Sequence, residues 1–109
     1  MTEASPDTTA AQEPLPRNAE DYASVAFGAW TEGDEGLLVR LMTMEARQVL
    51  ADASLDAAAD WEFDRCEGAA GSTYCTWTGP DGTLTFRVAN QDAGQGEEHA
   101  ITETLVAGG

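Results

Sequence analysis

The chain has 109 residues, with 20 acidic residues against five arginines and no lysine, for a formal net charge of -15. That length holds one domain. The charge argues against nucleic acid and against anionic membrane surfaces, which both need a basic patch, and leaves a basic protein, a cation or a cationic cell-wall component as complementary partners. No run of residues has the length of a transmembrane helix, so no direct membrane insertion of this segment is expected.

Residues 1–17 hold three of the four prolines, Pro6, Pro14 and Pro16, and Leu15 is their one branched aliphatic residue. Such a stretch buries too little surface to offset its ordering entropy and predicts a disordered tether, leaving residues 18–107 as a single α+β domain. Residues 19–31 read as a helix: Asn18 caps it, Glu20 and Asp21 complement its dipole, Tyr22, Ala26, Ala29 and Trp30 recur at helical spacing, and Gly33 stops it. Asp34 caps a second helix carrying Leu37, Leu38, Leu41 and Met42, and Thr43 caps a third carrying Ala46, Val49 and Leu50. Residues 55–59 are read as a further turn of helix.

From Trp61 the period changes to two. Trp61, Phe63 and Arg65 alternate with Glu62, Asp64 and Cys66, residues 73–78 form a second strand, and Gly79-Pro80-Asp81-Gly82 is a turn. Leu84, Phe86 and Val88 form one face of a third strand with Arg87 on the other, residues 90–98 form a polar loop, and residues 99–106 form a fourth strand. Helices followed by an antiparallel meander imply a helical layer over one sheet face.

Cys66 and Cys75 bracket a Gly- and Ser-containing connection between two strands, which suits a disulfide stapling them. Dithiol redox centres use a C-x-x-C spacing that is absent, and zinc would need a carboxylate beyond Cys66, Cys75 and His99. A disulfide implies an oxidising, extracytoplasmic location, either secreted or membrane-anchored. Because the start of the chain has no signal-peptide pattern, Met1 is expected to follow a removed leader.

No motif supplies a catalytic set. His99 is the single histidine, and no nucleophile-elbow pattern surrounds Ser24, Ser54 or Ser72. The acids around Glu32 and around Asp92 match no calcium loop, so neither a metal nor another cofactor is expected. Tyr22, Trp30, Trp61 and Trp77 are either the walls of a pocket between helices and sheet or simply the core. By strand parity Arg65 shares a face with Trp61 and Phe63.

Two stretches carry a resemblance. Ala29-Trp30-Thr31-Glu32-Gly33-Asp34, with Leu37-Leu38-Val39-Arg40-Leu41 and Thr43-Met44-Glu45-Ala46 after it, resembles the opening of NTF2-like, cone-shaped α+β domains. Cys66-Glu67-Gly68-Ala69-Ala70-Gly71-Ser72-Thr73-Tyr74-Cys75-Thr76-Trp77 resembles a stretch of small exported proteins and lipoproteins of actinobacteria. The resemblance implies N-terminal helices packed on a curved four-stranded antiparallel meander, a short NTF2-like domain with one disulfide. The functional expectation is a non-enzymatic binding or interaction module at the cell envelope with a protein or small-molecule partner. The alternative is an NTF2-like ligand binder or enzyme whose apolar pocket is walled by Tyr22, Trp30, Trp61 and Trp77, with a carboxylate or Tyr74 as acid or base. A third option is a homodimer seamed along the last strand, residues 100–106.

Overall fold

A computed structural model describes residues 15–80 and 82–108. Three helices, α1 (Ala19–Glu32), α2 (Glu35–Leu41) and α3 (Met44–Asp52), precede strands β1 (Glu62–Ala69), β2 (Ser72–Gly79) and β3 (Gly82–Ala89). A short helix, α4 (Asn90–Gly94), and strand β4 (Ile101–Gly108) complete the chain. The helix starts follow the capping chemistry: Asp21 N–H donates to Asn18 Oδ1 (2.8 Å), Leu37 N–H to Asp34 Oδ1 (3.2 Å) and Ala46 N–H to Thr43 Oγ1 (3.2 Å). Gly33, at φ 74°, closes α1. Its N–H reaches the Trp30 carbonyl and the Asp34 N–H the Ala29 carbonyl, the paired bonds of a Schellman ending that favours glycine.

The four strands pair only with their sequence neighbours, in the order β1-β2-β3-β4, all antiparallel. One face of the sheet, carrying Cys75, Trp77, Leu84, Phe86, Val88 and Ile101, is buried beneath Tyr22, Ala26 and Ala29 of α1, Leu38 and Leu41 of α2, and Ala46 and Leu50 of α3. On the other face Thr76 and Thr85 share a hydroxyl hydrogen bond of 2.9 Å. There Arg87 lies over the Tyr74 ring at 5.9 Å and donates from Nε to Ser72 Oγ.

This architecture corrects the expected fold. The layers are α+β with a four-stranded antiparallel meander, but the sheet is open and does not curl into a cone: β1 has no outer strand partner among the described residues, and β4 carries on its outer side a bridge from Ile101 to Met42, with the Thr43 N–H donating to the Ile101 carbonyl. A short meander with one helical layer buries one face and needs no closure. Local details differ too. Residues 55–59 are turns and bends, not helix, and the polar loop after β3 opens with α4. The last strand starts at Ile101, because His99 turns to φ 65°, outside the extended region. The tether expectation falls mostly on residues outside the described range; Leu15 itself is 7% exposed and belongs to the core.

Candidate functional site

Cys66 and Cys75 stand directly opposite each other on β1 and β2 and are joined by a disulfide, with their Cα atoms 3.9 Å apart. The link is possible because the hairpin is tight. Ala69 pairs with Ser72, leaving Ala70 and Gly71 as the loop, and Gly71 takes φ 75°. Cys75 is fully buried against the core, whereas Cys66 is half-buried, so the bridge fastens a projecting strand to the body of the sheet.

β1 is that projecting strand. Every residue in it except Cys66 is exposed, and its outer edge has no strand partner among the described residues. Asp64 is an extra residue: Phe63 pairs with Trp77 and Arg65 with Thr76, so the strand bulges between them. The bulge reverses the expected parity. Phe63 stays on the face of Trp77, 47% exposed with its ring 5.5 Å from the indole, while Arg65 turns to the opposite face and pairs with Glu67 at 3.5 Å. Sequence alternation alone cannot reveal this, since one inserted residue moves every later side chain to the other face. Around the edge stand Asp60, Glu62, Asp64 and Glu67, all exposed.

The four candidate pocket residues all belong to one hydrophobic core, with Tyr22 and Trp77 buried in it and Trp30 and Trp61 packed against it. Trp30, Trp61 and Trp77 form one aromatic cluster with Phe27. The Phe27 and Trp77 rings stack 4.5 Å apart, Trp61 meets Phe27 at 6.2 Å and Trp30 at 5.6 Å, both edge-on, and the Trp61 Nε1–H donates to the Asp56 carbonyl (2.8 Å). Centroid spacings of this size are those of rings in contact, so the side chains occupy the space between them. Tyr22 lies outside that group of rings. Its hydroxyl donates to the Glu97 carbonyl (2.6 Å) and accepts from the Ala100 N–H (3.2 Å), tying α1 to the start of β4. Burial pushes the Tyr22 phenol above its ordinary value of 10.0; the Ala100 N–H opposes that, and the charges of Glu98 and Asp92 add to it. His99 is exposed, and its backbone N–H donates to the Arg40 carbonyl. Tyr74 lies under Arg87 on the open sheet face.

Comparison of the chain with protein families, with curated proteins and with solved structures finds no match. The resemblances to NTF2-like domains and to exported actinobacterial lipoproteins are therefore withdrawn: neither has a matching relative, and the open sheet lacks the cone that the first requires. Among the described residues no helix is long and apolar enough to cross a membrane.

Surface concavities lie around α3. An open groove of about 360 Å³ between α3 and β4 is lined by Glu45, Val49, Arg87 and Glu103, and its cation is matched, with Arg87 3.5 Å from Glu103. A smaller void of about 60 Å³ lies between α2 and α3 over Trp30, Leu38 and Leu50, with Arg47 and Glu35 in its wall. Sequence analysis did not single out Arg47, since an arginine on a short amphipathic helix looks like ordinary surface.

Proposed function

We propose that this chain is an interaction module that works in an oxidising, extracytoplasmic setting and takes an extended, basic protein segment along the free edge of β1. One observation carries the reading: β1 is an acidic edge strand exposed on both faces yet covalently fastened to the core. Its outward backbone groups have no strand partner among the described residues, which is the template used when a peptide adds to a sheet. Asp60, Glu62, Asp64 and Glu67 set the charge of the occupant, and Phe63 offers an apolar contact. The same acids and the bulge discourage pairing with a second acidic edge, so they select against self-association and in favour of a basic strand. The Cys66–Cys75 bridge supports the oxidising setting.

The test is titration of the oxidised, isotope-labelled chain with a short peptide alternating lysine and valine, against a glutamate–valine counterpart. The reading expects saturable shifts and slowed amide exchange confined to β1, lost at high salt. The triple variant Glu62→Gln/Asp64→Asn/Glu67→Gln should bind about tenfold more weakly, at roughly 0.3–0.5 kcal/mol for each exposed pair. Equal response to both peptides, or shifts centred on β4, would discard it. A mass that rises with protein concentration in sedimentation would instead favour a second copy as the occupant.

A further inference from the structure

The arginines of this chain are few, and their partners are uneven. Arg40 lies 3.2 Å from Glu98, Arg65 3.5 Å from Glu67 and Arg87 3.5 Å from Glu103, as expected where acids outnumber bases 20 to five. Arg17 is exposed. Arg47 is the exception: it is half-buried, its Nε is out of reach of solvent, and that nitrogen meets no acceptor among the described residues. Glu35 lines the same cleft.

The space in front of Arg47 has a defined shape. Trp30, Leu38 and Leu50 make an apolar floor around a void of about 60 Å³. Glu35, Arg47 and Ala51 also line an open groove of about 330 Å³ that reaches Met44 and Gln48. A void needs about 10–15 Å³ to admit one water, so the inner space takes a carboxylate-sized group and the outer groove its remainder. A guanidinium whose Nε is closed to solvent still presents its outer Nη1/Nη2 edge, two parallel N–H donors that match a carboxylate.

We propose that this cleft between α2 and α3 binds a small organic monocarboxylate, with its charged end on Arg47 and its apolar body on Trp30, Leu38 and Leu50. One cation, an apolar floor and an acid at the rim favour a single negative charge over a phosphate dianion. The proposal does not depend on the β1 edge.

Hexanoate is the probe and hexanamide its neutral isostere, followed on the full oxidised chain by the Arg47 Nε–H and Trp30 indole N–H resonances. Hexanoate should shift both saturably and hexanamide should shift neither. Arg47→Lys, which keeps the charge but loses the paired donors, should bind about tenfold more weakly. Arg47→Met should abolish the response, and Glu35→Gln should strengthen it by removing a like charge. An unchanged thermal midpoint shows that a variant has kept its fold; if Arg47→Met fails to fold, Arg47→Lys and Glu35→Gln decide. Shifts that never saturate, equal shifts from hexanamide, an Arg47→Met chain that still responds, or a void that holds only water and ignores hexanoate would each overturn the assignment.

Discussion

Thr104 sits on the core face of β4 opposite Phe86, and its hydroxyl is buried with no hydrogen-bond partner among the described residues. A buried hydroxyl left unmatched costs about 1–3 kcal/mol. Thr104→Val keeps the shape and removes the polar atom, so it should raise stability by about 1 kcal/mol in urea denaturation. Loss of stability would show that the hydroxyl has a partner after all. Tyr22 is the opposite case, since its hydroxyl serves two backbone groups, and Tyr22→Phe should cost about 1–3 kcal/mol. The sign of its pH dependence follows from the raised pKa. The folded state holds the phenolic proton more tightly than the unfolded state. That contribution is complete below pH 10.0, the ordinary value, and is lost as pH rises through the higher folded-state value. Between pH 10.0 and the folded-state value, wild type should therefore lose stability more steeply than Tyr22→Phe, and equal slopes would place the alkaline loss at another group.

The β1–β2 hairpin is held at two points, and each can be removed. The disulfide closes a loop of about ten residues, which in the loop-entropy treatment contributes about 2.5 kcal/mol. The double variant Cys66→Ala/Cys75→Ala should lower the urea midpoint accordingly, and reductant should have the same effect on wild type but none on the variant. At the other end of the hairpin, a Cβ on Gly79 would lie 2.7 Å from the Trp61 ring. Gly79→Ala should displace that indole, break its bond to the Asp56 carbonyl, cost about 1–3 kcal/mol and shift tryptophan emission. Unaltered emission would mean that the ring yields without loss. These elements also show what was legible in the chain. Asn18, Asp34 and Thr43 announce three helix starts because capping is local, and Leu84, Phe86 and Val88 announce a buried strand face because β3 is regular. The disulfide followed from two cysteines flanking a tight connection. The side to which Arg65 turns did not follow, because the bulge at Asp64 depends on pairing with β2. Nor did the cleft at Arg47, which exists only where α1, α2 and α3 meet. The expected cone failed for a related reason: sheet curvature depends on how the strands twist and bulge together, and the motif at Gly33-Asp34 records only how one helix ends.

At the scale of the whole molecule, charge works against compaction. A net charge of -15 on a small domain is self-repelling. Sodium chloride should raise the thermal midpoint as the screening length falls from about 30 Å at 0.01 M to about 3 Å at 1 M. A midpoint insensitive to salt would mean that the acids are already far enough apart to ignore one another. The order of the strands has a kinetic consequence. Each strand pairs with its neighbour in sequence, so the sheet can grow one hairpin at a time without first closing a long loop. More distant contacts join Tyr22 to Glu97 and Ala100, 75 and 78 positions away, and form only when α1 docks against the segment that leads into β4. A contact that waits for the sheet forms late, so changes at Tyr22 should slow folding less than they speed unfolding.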